Sequence, residues 1–288
     1  MKLPLPGDSG DALWALLNRP DTDATVRRPT VVLTHGLSGD ENSVYMLDAA
    51  RYFLARGHNV VRLNLRGAGP SAAHCRRHYH AGRSQDLRDA LPALPADLLA
   101  DGLLLVGFSL SGNTVLKLAA EAGRDLRLRA VAAVSAPIDL AATTRNIMRR
   151  RNAPYHTTML REFKAVCDRP GAELSTAERE AIRRADSFLS FDDRFTAPRH
   201  GYRDAAGFYA DNMALRFLPE IALPALLLHA RDDPIVPVAP YLTFDWSRNR
   251  HLQPALPGSG GHVGFHAVNG PWHLRQIGRF FNSRTGPD

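Results

Sequence analysis

The stretch that most restricts the fold of this chain is residues 103–113, LLLVGFSLSGN. Its apolar first half predicts a buried strand, its small residues predict a sharp turn, and the residues from Thr114 to Ala122 favour a helix. A strand that ends in a tight turn before a helix lifts a hydroxyl clear of the sheet, as in a nucleophile elbow. Ser109, at the tip of the turn, is therefore the candidate nucleophile.

The residues around this turn must be small, because the chain passes close to its own strand and helix. Gly107 fits the usual pattern G-x-S-x-G, but Ser111 stands where that pattern has its second glycine. Serine is small and Gly112 follows directly, so we interpret the turn as a variant elbow. The alternative is an ordinary strand, turn and helix in which Ser109 only caps the helix.

The rest of the chain predicts a mostly parallel central sheet flanked by helices. Unbroken apolar runs typical of strands buried on both faces occur at residues 30–34, 59–64, 130–135 and 225–230, and further strands are expected within 10–28 and at 251–255. Residues 140–218 lack strand patterns. We predict one domain over residues 1–288, with 140–218 as a helical lid inserted between the sixth and seventh strands.

A serine nucleophile needs a base within hydrogen-bond reach and a carboxylate that orients the base. His262 is the best candidate base of the twelve histidines, because glycines on both sides allow its loop to bend back towards Ser109. Asp233 is the preferred acid because it precedes the apolar run Pro-Ile-Val-Pro. Asp232 and Asp139 stay open as alternatives.

The loop after the strand at residues 30–34 reads His35-Gly36-Leu37-Ser38-Gly39. Glycine in this position lets backbone N–H groups approach a substrate oxygen. We predict an oxyanion hole made by the N–H groups of Leu37 and of Leu110, the residue after the nucleophile. His35 is expected to have a structural role beside this loop.

Two patterns raise the question of a cofactor. Gly67, Gly69 and Ala72 match a dinucleotide fingerprint, but no clean acidic strand end follows, so we interpret them as glycines of a tight loop. Residues 74–80 contain four potential zinc ligands without a second ligand pair. The sequence therefore predicts neither a cofactor nor a metal.

The charge and the termini narrow the class of protein. The formal net charge is +7, yet the basic residues are scattered, and the cluster at Arg145 and Arg149–Arg151 has no accompanying nucleic-acid motif. We predict no nucleic-acid partner. Two cysteines, no signal-peptide pattern and no membrane-spanning segment predict a cytoplasmic protein, whereas the oligomeric state stays open.

Taken together, these blocks resemble the YheT-like family of α/β-hydrolases over residues 28–282, which implies the α/β-hydrolase fold and a carboxylic-ester hydrolase with the triad Ser109, Asp233 and His262. The departure from the family pattern is Ser111. The blocks that carry the resemblance are His35-Gly36-Leu37-Ser38-Gly39, Asn64-Leu65-Arg66-Gly67, Tyr79-His80-Ala81-Gly82, Gly107-Phe108-Ser109-Leu110, Ser135-Ala136-Pro137-Ile138-Asp139-Leu140, Phe191-Asp192-Asp193-Arg194-Phe195-Thr196-Ala197-Pro198, Ala230-Arg231-Asp232-Asp233-Pro234 and Gly261-His262-Val263-Gly264-Phe265.

The hypothesis from the sequence is thus a serine esterase that acts on a small-molecule ester through an acyl-enzyme. A thioesterase or an amidase would use the same residues. A binding module without turnover is the alternative from another class, and Ser111 is the one feature in its favour.

Overall fold

A single eight-stranded sheet forms the centre of the computed structural model, which describes residues 1–6, 10–21, 27–123 and 125–285. The strand order is β1-β2-β4-β3-β5-β6-β7-β8. β1 and β4 each pair antiparallel with β2, and all other neighbours are parallel, so the predicted mostly parallel sheet is confirmed. The strands are Lys2–Pro4 (β1), Ala12–Asn18 (β2), Thr30–Thr34 (β3), Val60–Leu63 (β4), Leu103–Phe108 (β5), Leu128–Val134 (β6), Ala225–Leu228 (β7) and Leu252–Ala255 (β8).

Helices cover both faces of the sheet. They are Val44–Leu54 (α1), Ser84–Ala90 (α2), Ala96–Leu99 (α3), Leu110–Ala122 (α4), Leu140–Ile147 (α5), Ala153–Cys167 (α6), Thr176–Arg184 (α7), Phe188–Phe191 (α8), Ala197–Arg199 (α9), Ala205–Asn212 (α10), Ala239–Thr243 (α11) and Trp272–Thr285 (α12), with a π-helix at Asp192–Thr196. None of the helices in the described ranges is long and apolar enough to cross a membrane.

Alternation along the central strands divides the core into two layers. Every residue of β3 is buried, and Val32 packs with one apolar cluster while Leu33 packs with the other. The second cluster includes Phe53 of α1 and Phe281 of α12, and the first includes Leu116 of α4. Successive side chains of a strand point to opposite faces, so an unbroken apolar run is what a sheet covered on both sides requires.

The strand positions differ from the sequence expectation mainly at the N-terminus. Of the strands expected within residues 10–28, the described part of this region contains β2. Residues 22–26 lie outside the described ranges. β1 precedes this region and was not predicted. Its three residues carry no strand pattern of their own, and they are held by pairing with β2, Lys2 opposite Trp14. Elsewhere, predicted and observed strand ends differ by at most two residues.

The residues between β6 and β7 contain α5 to α10 and are called the β6–β7 insertion, residues 140–220. Several of its helices begin at a side chain that accepts a hydrogen bond from the first turn, which explains why helices start there. These caps are Asp139 before α5, Ser175 before α7, Ser187 before α8 and Asp204 before α10.

Candidate active site

Ser109 lies between β5 and α4, in a backbone conformation that few residues other than glycine adopt. Its φ is 51° and its ψ is −120°. A Cβ on Gly107 would overlap the backbone carbonyl of Ser111, and a Cβ on Gly36 would lie 3.0 Å from the Cβ of Ser109. Small residues are therefore needed on both sides of the turn, and the strained turn directs the hydroxyl into a pocket at the carboxyl edge of the sheet.

Ser111, the departure from the usual elbow pattern, is fully buried. Its hydroxyl donates a hydrogen bond to the backbone carbonyl of His35 and thereby joins α4 to the loop after β3. The close approach usually made by a glycine is made here by Gly112, where a Cβ would lie 2.7 Å from the Cβ of Ala136. The turn thus accommodates Ser111 without losing its shape.

Ser109, Asp233 and His262 meet at the carboxyl ends of β5, β7 and β8. The Nε2 atom of His262 lies 2.9 Å from the Oγ of Ser109, and its Nδ1 atom lies 2.8 Å from the Oδ2 of Asp233. A carboxylate only accepts hydrogen bonds, so Nδ1 carries the proton and Nε2 is free to accept the serine proton. This is the arrangement in which an imidazole can act as a general base.

Backbone groups hold both partners of Ser109 in place. The Oδ1 of Asp233 accepts hydrogen bonds from the N–H groups of Ile235 at 2.9 Å and Val236 at 3.0 Å, which leaves Oδ2 directed at the imidazole. Next to His262, Val263 has a φ of 57° and donates its N–H to the Oγ of Ser135 at 3.2 Å. The carboxylate and the imidazole loop are thus oriented before any substrate binds.

The two alternative acids are occupied elsewhere. Asp232 is exposed, and its Oδ1 accepts a hydrogen bond from the N–H of Gly261 at 2.9 Å. Asp139 caps α5 by accepting the N–H of Ala142 at 2.8 Å. Of the three candidates, only Asp233 forms a hydrogen bond with His262 among the described residues.

The loop after β3 presents one N–H group without a protein acceptor. The N–H of Gly36 donates to the hydroxyl of Tyr45 at 3.0 Å, and that of Ser38 donates to the hydroxyl of Tyr79 at 2.7 Å. Between them, the N–H of Leu37 forms no hydrogen bond with any described residue. Because its neighbours are fixed, this group keeps its direction when a substrate oxygen arrives.

The second candidate donor is the N–H of Leu110, the first residue of α4. An N–H group in the first turn of a helix has no acceptor within that helix, and no described residue outside the helix accepts this one. Leu37, Ser109 and Leu110 all line the same pocket. Both residues predicted to supply the oxyanion donors therefore line the pocket that Ser109 lines.

His35 and His229 are buried histidines that support the site without facing the pocket. His35 accepts the N–H of Leu65 at Nε2, 3.0 Å away, and burial lowers its pKa to about 4. His229 stacks on Tyr241 with ring centroids 4.3 Å apart, and its Nδ1 lies 3.8 Å from the Oδ2 of Asp233. Burial also lowers the pKa of His229 to about 4. Nothing in the sequence near His229 indicated this position beside the acid.

Comparison with known proteins agrees with the fold. The family model described as "alpha/beta hydrolase fold" matches residues 29–266. The YheT protein of Escherichia coli (strain K12) is 32% identical over 271 residues, which cover 92% of this chain and 77% of YheT. The chain belongs to the YheT-like family of α/β-hydrolases.

Other members of the α/β-hydrolase family are more distant. Phospholipase ABHD3 of Mus musculus is 27% identical over 85% of this chain, which spans only 60% of that protein. Among solved structures, the Pyrococcus furiosus esterase Pf2001 superposes with a TM-score of 0.66 at 16% identity, covering 99% of this chain and 92% of the esterase. The likeness to Pf2001 shows the shared fold alone.

The pocket beside Ser109 has a volume of about 100 Å³ and is walled largely by the β6–β7 insertion. Ile147, Met159 and Phe188 contribute apolar side chains. Asp192 and Tyr209 also line it, and the hydroxyl of Tyr209 donates to the Oδ2 of Asp192 at 2.6 Å. Burial raises the pKa of Asp192 to about 6, a change that the hydrogen bond from Tyr209 opposes. From the sequence, Asp192 was named only within a block of the family resemblance and was given no role of its own.

The surroundings of the two patterns that raised the question of a cofactor are described by the structure. Arg66 beside the glycine-rich loop is buried and forms ion pairs with Asp11 at 2.5 Å and Asp86 at 2.7 Å. Of the four potential zinc ligands, His78 stacks on Phe195 and His80 lines the pocket. Within the described ranges, no group of three or more histidine, cysteine or acidic side chains could hold a metal.

Proposed function

We propose that this chain is a serine hydrolase that cleaves carboxylic esters with Ser109 as nucleophile, His262 as base and Asp233 as acid. The single observation that supports the proposal most strongly is the pair of hydrogen-bond distances at His262, 2.9 Å to Ser109 and 2.8 Å to Asp233. These residues are 153 and 29 positions apart from His262, so local chain geometry alone does not explain their meeting.

In the proposed mechanism, the Oγ of Ser109 attacks the ester carbonyl while the Nε2 of His262 takes its proton. The carboxylate of Asp233 stabilises the imidazolium through Nδ1–H, and the N–H groups of Leu37 and Leu110 donate to the oxyanion. The imidazolium then gives its proton to the departing alcohol oxygen, which leaves an acyl-enzyme. Water attacks the acyl-enzyme in the same way, releases the acid and restores Ser109.

The esterase and lipase names of the sequence relatives support an ester as substrate. The mainly apolar wall of the pocket supports an ester with a hydrocarbon part. We further propose that the β6–β7 insertion acts as the lid of this pocket, because it supplies most of the wall. A cytoplasmic location remains a prediction from the sequence.

Labelling with a fluorophosphonate probe tests the nucleophile. We expect the unaltered protein to be labelled, Ser109→Ala to lose the label completely, and Ser175→Ala, which alters an exposed helix cap, to keep it. Folded protein that stays unlabelled would favour the binding module without turnover. Initial rates on a matched p-nitrophenyl ester, thioester and anilide would then separate esterase, thioesterase and amidase activity, and we expect the ester to be preferred.

A further inference from the structure

The wall of the pocket carries a group of polar side chains that the proposed mechanism does not use. These side chains, called the polar wall, are Thr144, Asp192, Thr196 and Tyr209. They come from α5, the π-helix and α10, and α10 packs against the other two. A hydrocarbon chain would gain nothing from hydroxyl and carboxyl groups in this place, so the polar wall calls for another explanation.

The π-helix brings two of these residues into the pocket together. Its wide turn is closed by the N–H of Ala197, which donates to the carbonyl of Asp192 five residues earlier. Asp192 and Thr196 are four residues apart and both face the pocket. Short π-helices in proteins occur frequently at functional sites. The π-helix thus places two polar side chains on the surface of the pocket.

Asp192 is half-buried, and its described contacts include no arginine or lysine. Its Oδ2 accepts the hydroxyl proton of Tyr209 at 2.6 Å, but none of the ion pairs described for this chain joins it to an arginine or a lysine. Burial raises its pKa to about 6. His80 supplies no positive charge either, because burial and then the nearby His200 lower its pKa well below the usual value. A carboxyl in such surroundings is stabilised by any ligand that donates a hydrogen bond to it.

We propose that the pocket selects esters whose non-reacting part carries a hydroxyl group, with Asp192 and Tyr209 as the residues that bind that hydroxyl. The proposal rests on the proposed function and names its substrate class. A hydroxyl suits the polar wall better than an ammonium group, because burying an ion pair requires the dehydration of two charges. It can also donate to the carboxylate and accept from a neighbouring side-chain hydroxyl at the same time.

The test compares two pairs of esters by pH-stat. Methyl 6-hydroxyhexanoate against methyl hexanoate probes the acyl side, and 4-hydroxybutyl acetate against pentyl acetate probes the alcohol side. In one of the pairs we expect kcat/KM to be about tenfold higher for the hydroxylated ester, because a site built for a hydroxyl discriminates against an analogue that lacks it. Equal values, or a preference for the plain ester in both pairs, would overturn the proposal.

Variants assign the preference to the polar wall. Asp192→Leu should abolish it by bringing kcat/KM for the hydroxylated ester down to that for the plain ester, and Tyr209→Phe should reduce it about threefold. Tyr209→Phe keeps the ring in place, so it decides the question if Asp192→Leu does not fold. Asp193→Asn is the matched control, because this exposed carboxyl accepts the N–H of Ala205 outside the pocket, and it should leave the preference unchanged. An unaltered preference in both pocket variants contradicts the assignment.

Binding to Ser109→Ala separates this proposal from the proposed function. Calorimetric titration of that variant with the same four esters needs no catalysis, and it should show the same order of affinity, lost in Ser109→Ala/Asp192→Leu. If the unaltered protein hydrolyses no ester but the binding order depends on Asp192, the proposed function fails and the hydroxyl subsite stands. If esters are hydrolysed and both binding and rates ignore Asp192, the subsite fails and the function stands.

Discussion

The strand ends and the β6–β7 insertion form opposite walls of one pocket, and they are held together in different ways. At the strand ends, backbone groups orient the side chains of the proposed triad, as when the N–H groups of Ile235 and Val236 bind Asp233. In the insertion, side chains orient one another, as when Tyr209 donates to Asp192. Where backbone groups hold the side chains of a pocket wall, few substitutions of those side chains keep the geometry. Where side chains hold one another, substitutions can change the polarity of the wall with little effect on the fold.

The largest effect is expected from Asp233→Asn at the strand ends. The amide oxygen can still accept the N–H groups of Ile235 and Val236, but the amide nitrogen is a donor and would face the Nδ1 of His262. The imidazole would then favour the tautomer that cannot accept the serine proton. We expect ester kcat/KM to fall by about 10⁴-fold, with the protein still folded by circular dichroism.

Two neighbouring carboxyls provide the controls for that substitution. Asp232→Asn and Asp139→Asn alter carboxyls that bind backbone N–H groups and not the imidazole, and each should change kcat/KM by less than about threefold. If kcat/KM fell 10⁴-fold in either control while Asp233→Asn stayed active, the altered control residue, and not Asp233, would be the acid.

The next largest effect should come from separating the insertion from α4. The Nδ2 of Asn113 donates to the carbonyl oxygens of Ala81 at 3.0 Å and Asn212 at 2.8 Å, and its Oδ1 accepts the N–H of Ala214 at 2.6 Å. Asn113→Leu leaves these buried groups without a partner, so the free energy of unfolding should fall by about 2–4 kcal/mol. Urea titration measures the loss.

The control for Asn113 is an exposed amide on another helix. Gln85→Leu removes a bond to Asp89 at the surface and should cost less than about 0.5 kcal/mol. Limited proteolysis should cut Asn113→Leu first within residues 140–220. A loss of stability equal in both variants would show that Asn113 does not fasten the insertion.

The same contrast explains how much the sequence could predict. Ser109 was identified because its strained turn forces small residues into adjacent positions, and this restriction is visible within five residues. Asp233 follows a strand with a clear apolar run, so its edge of the sheet was predictable. His262 follows the weaker pattern at residues 251–255, and the glycines on both sides of it were the stronger indication. The hydrogen bond between the Nε2 of His262 and Ser109 could only be expected from the sequence, because the conformation of the loop that carries His262 decides whether it forms.

The polar wall could not be predicted in this way. Asp192 lies in a helical stretch whose charges are typical of a solvated surface, and only the π-helix and its packing against α10 turn it into the pocket. The hydroxyl of Ser111 reaches the carbonyl of His35 across 76 residues, a contact that no local pattern records. β1 is similar, because its partner strand and not its sequence makes it a strand.

Ser111→Ala should have a smaller effect than Asn113→Leu and should act on stability rather than on chemistry. The buried carbonyl of His35 would lose its hydrogen bond, which costs about 1–2 kcal/mol. Ser111→Gly should cost about 1 kcal/mol more than Ser111→Ala, because glycine weakens a helix. Thermal unfolding measures both, and ester kcat/KM should stay within about threefold of the original. A hundredfold loss of kcat/KM at unchanged stability would instead give Ser111 a part in catalysis.

The smallest effect should come from Asp192→Asn, and it should depend on pH. The folded protein holds the Asp192 proton up to a pKa of about 6, whereas the ordinary value is 3.8, so the wild type loses stability as pH rises from about 4 to 6. The shift corresponds to at most about 3 kcal/mol. Because the carboxyl is only half-buried and opens on the pocket, we expect about 1 kcal/mol.

Asparagine does not titrate and can still accept the Tyr209 hydroxyl, so the stability of Asp192→Asn relative to the wild type should rise between pH 4.5 and 7.5. Urea titrations of both proteins at the two pH values give this difference directly. The two proteins must be compared with each other, because His35 and His229 have pKa values lowered to about 4. These histidines make the stability of both proteins rise with pH, opposite to the effect of Asp192. A difference that stays constant with pH would mean that the polar wall solvates Asp192 as well as water does. In that case the carboxyl would gain little from a hydroxyl ligand, and the wall would resemble the strand ends in being satisfied before any substrate binds.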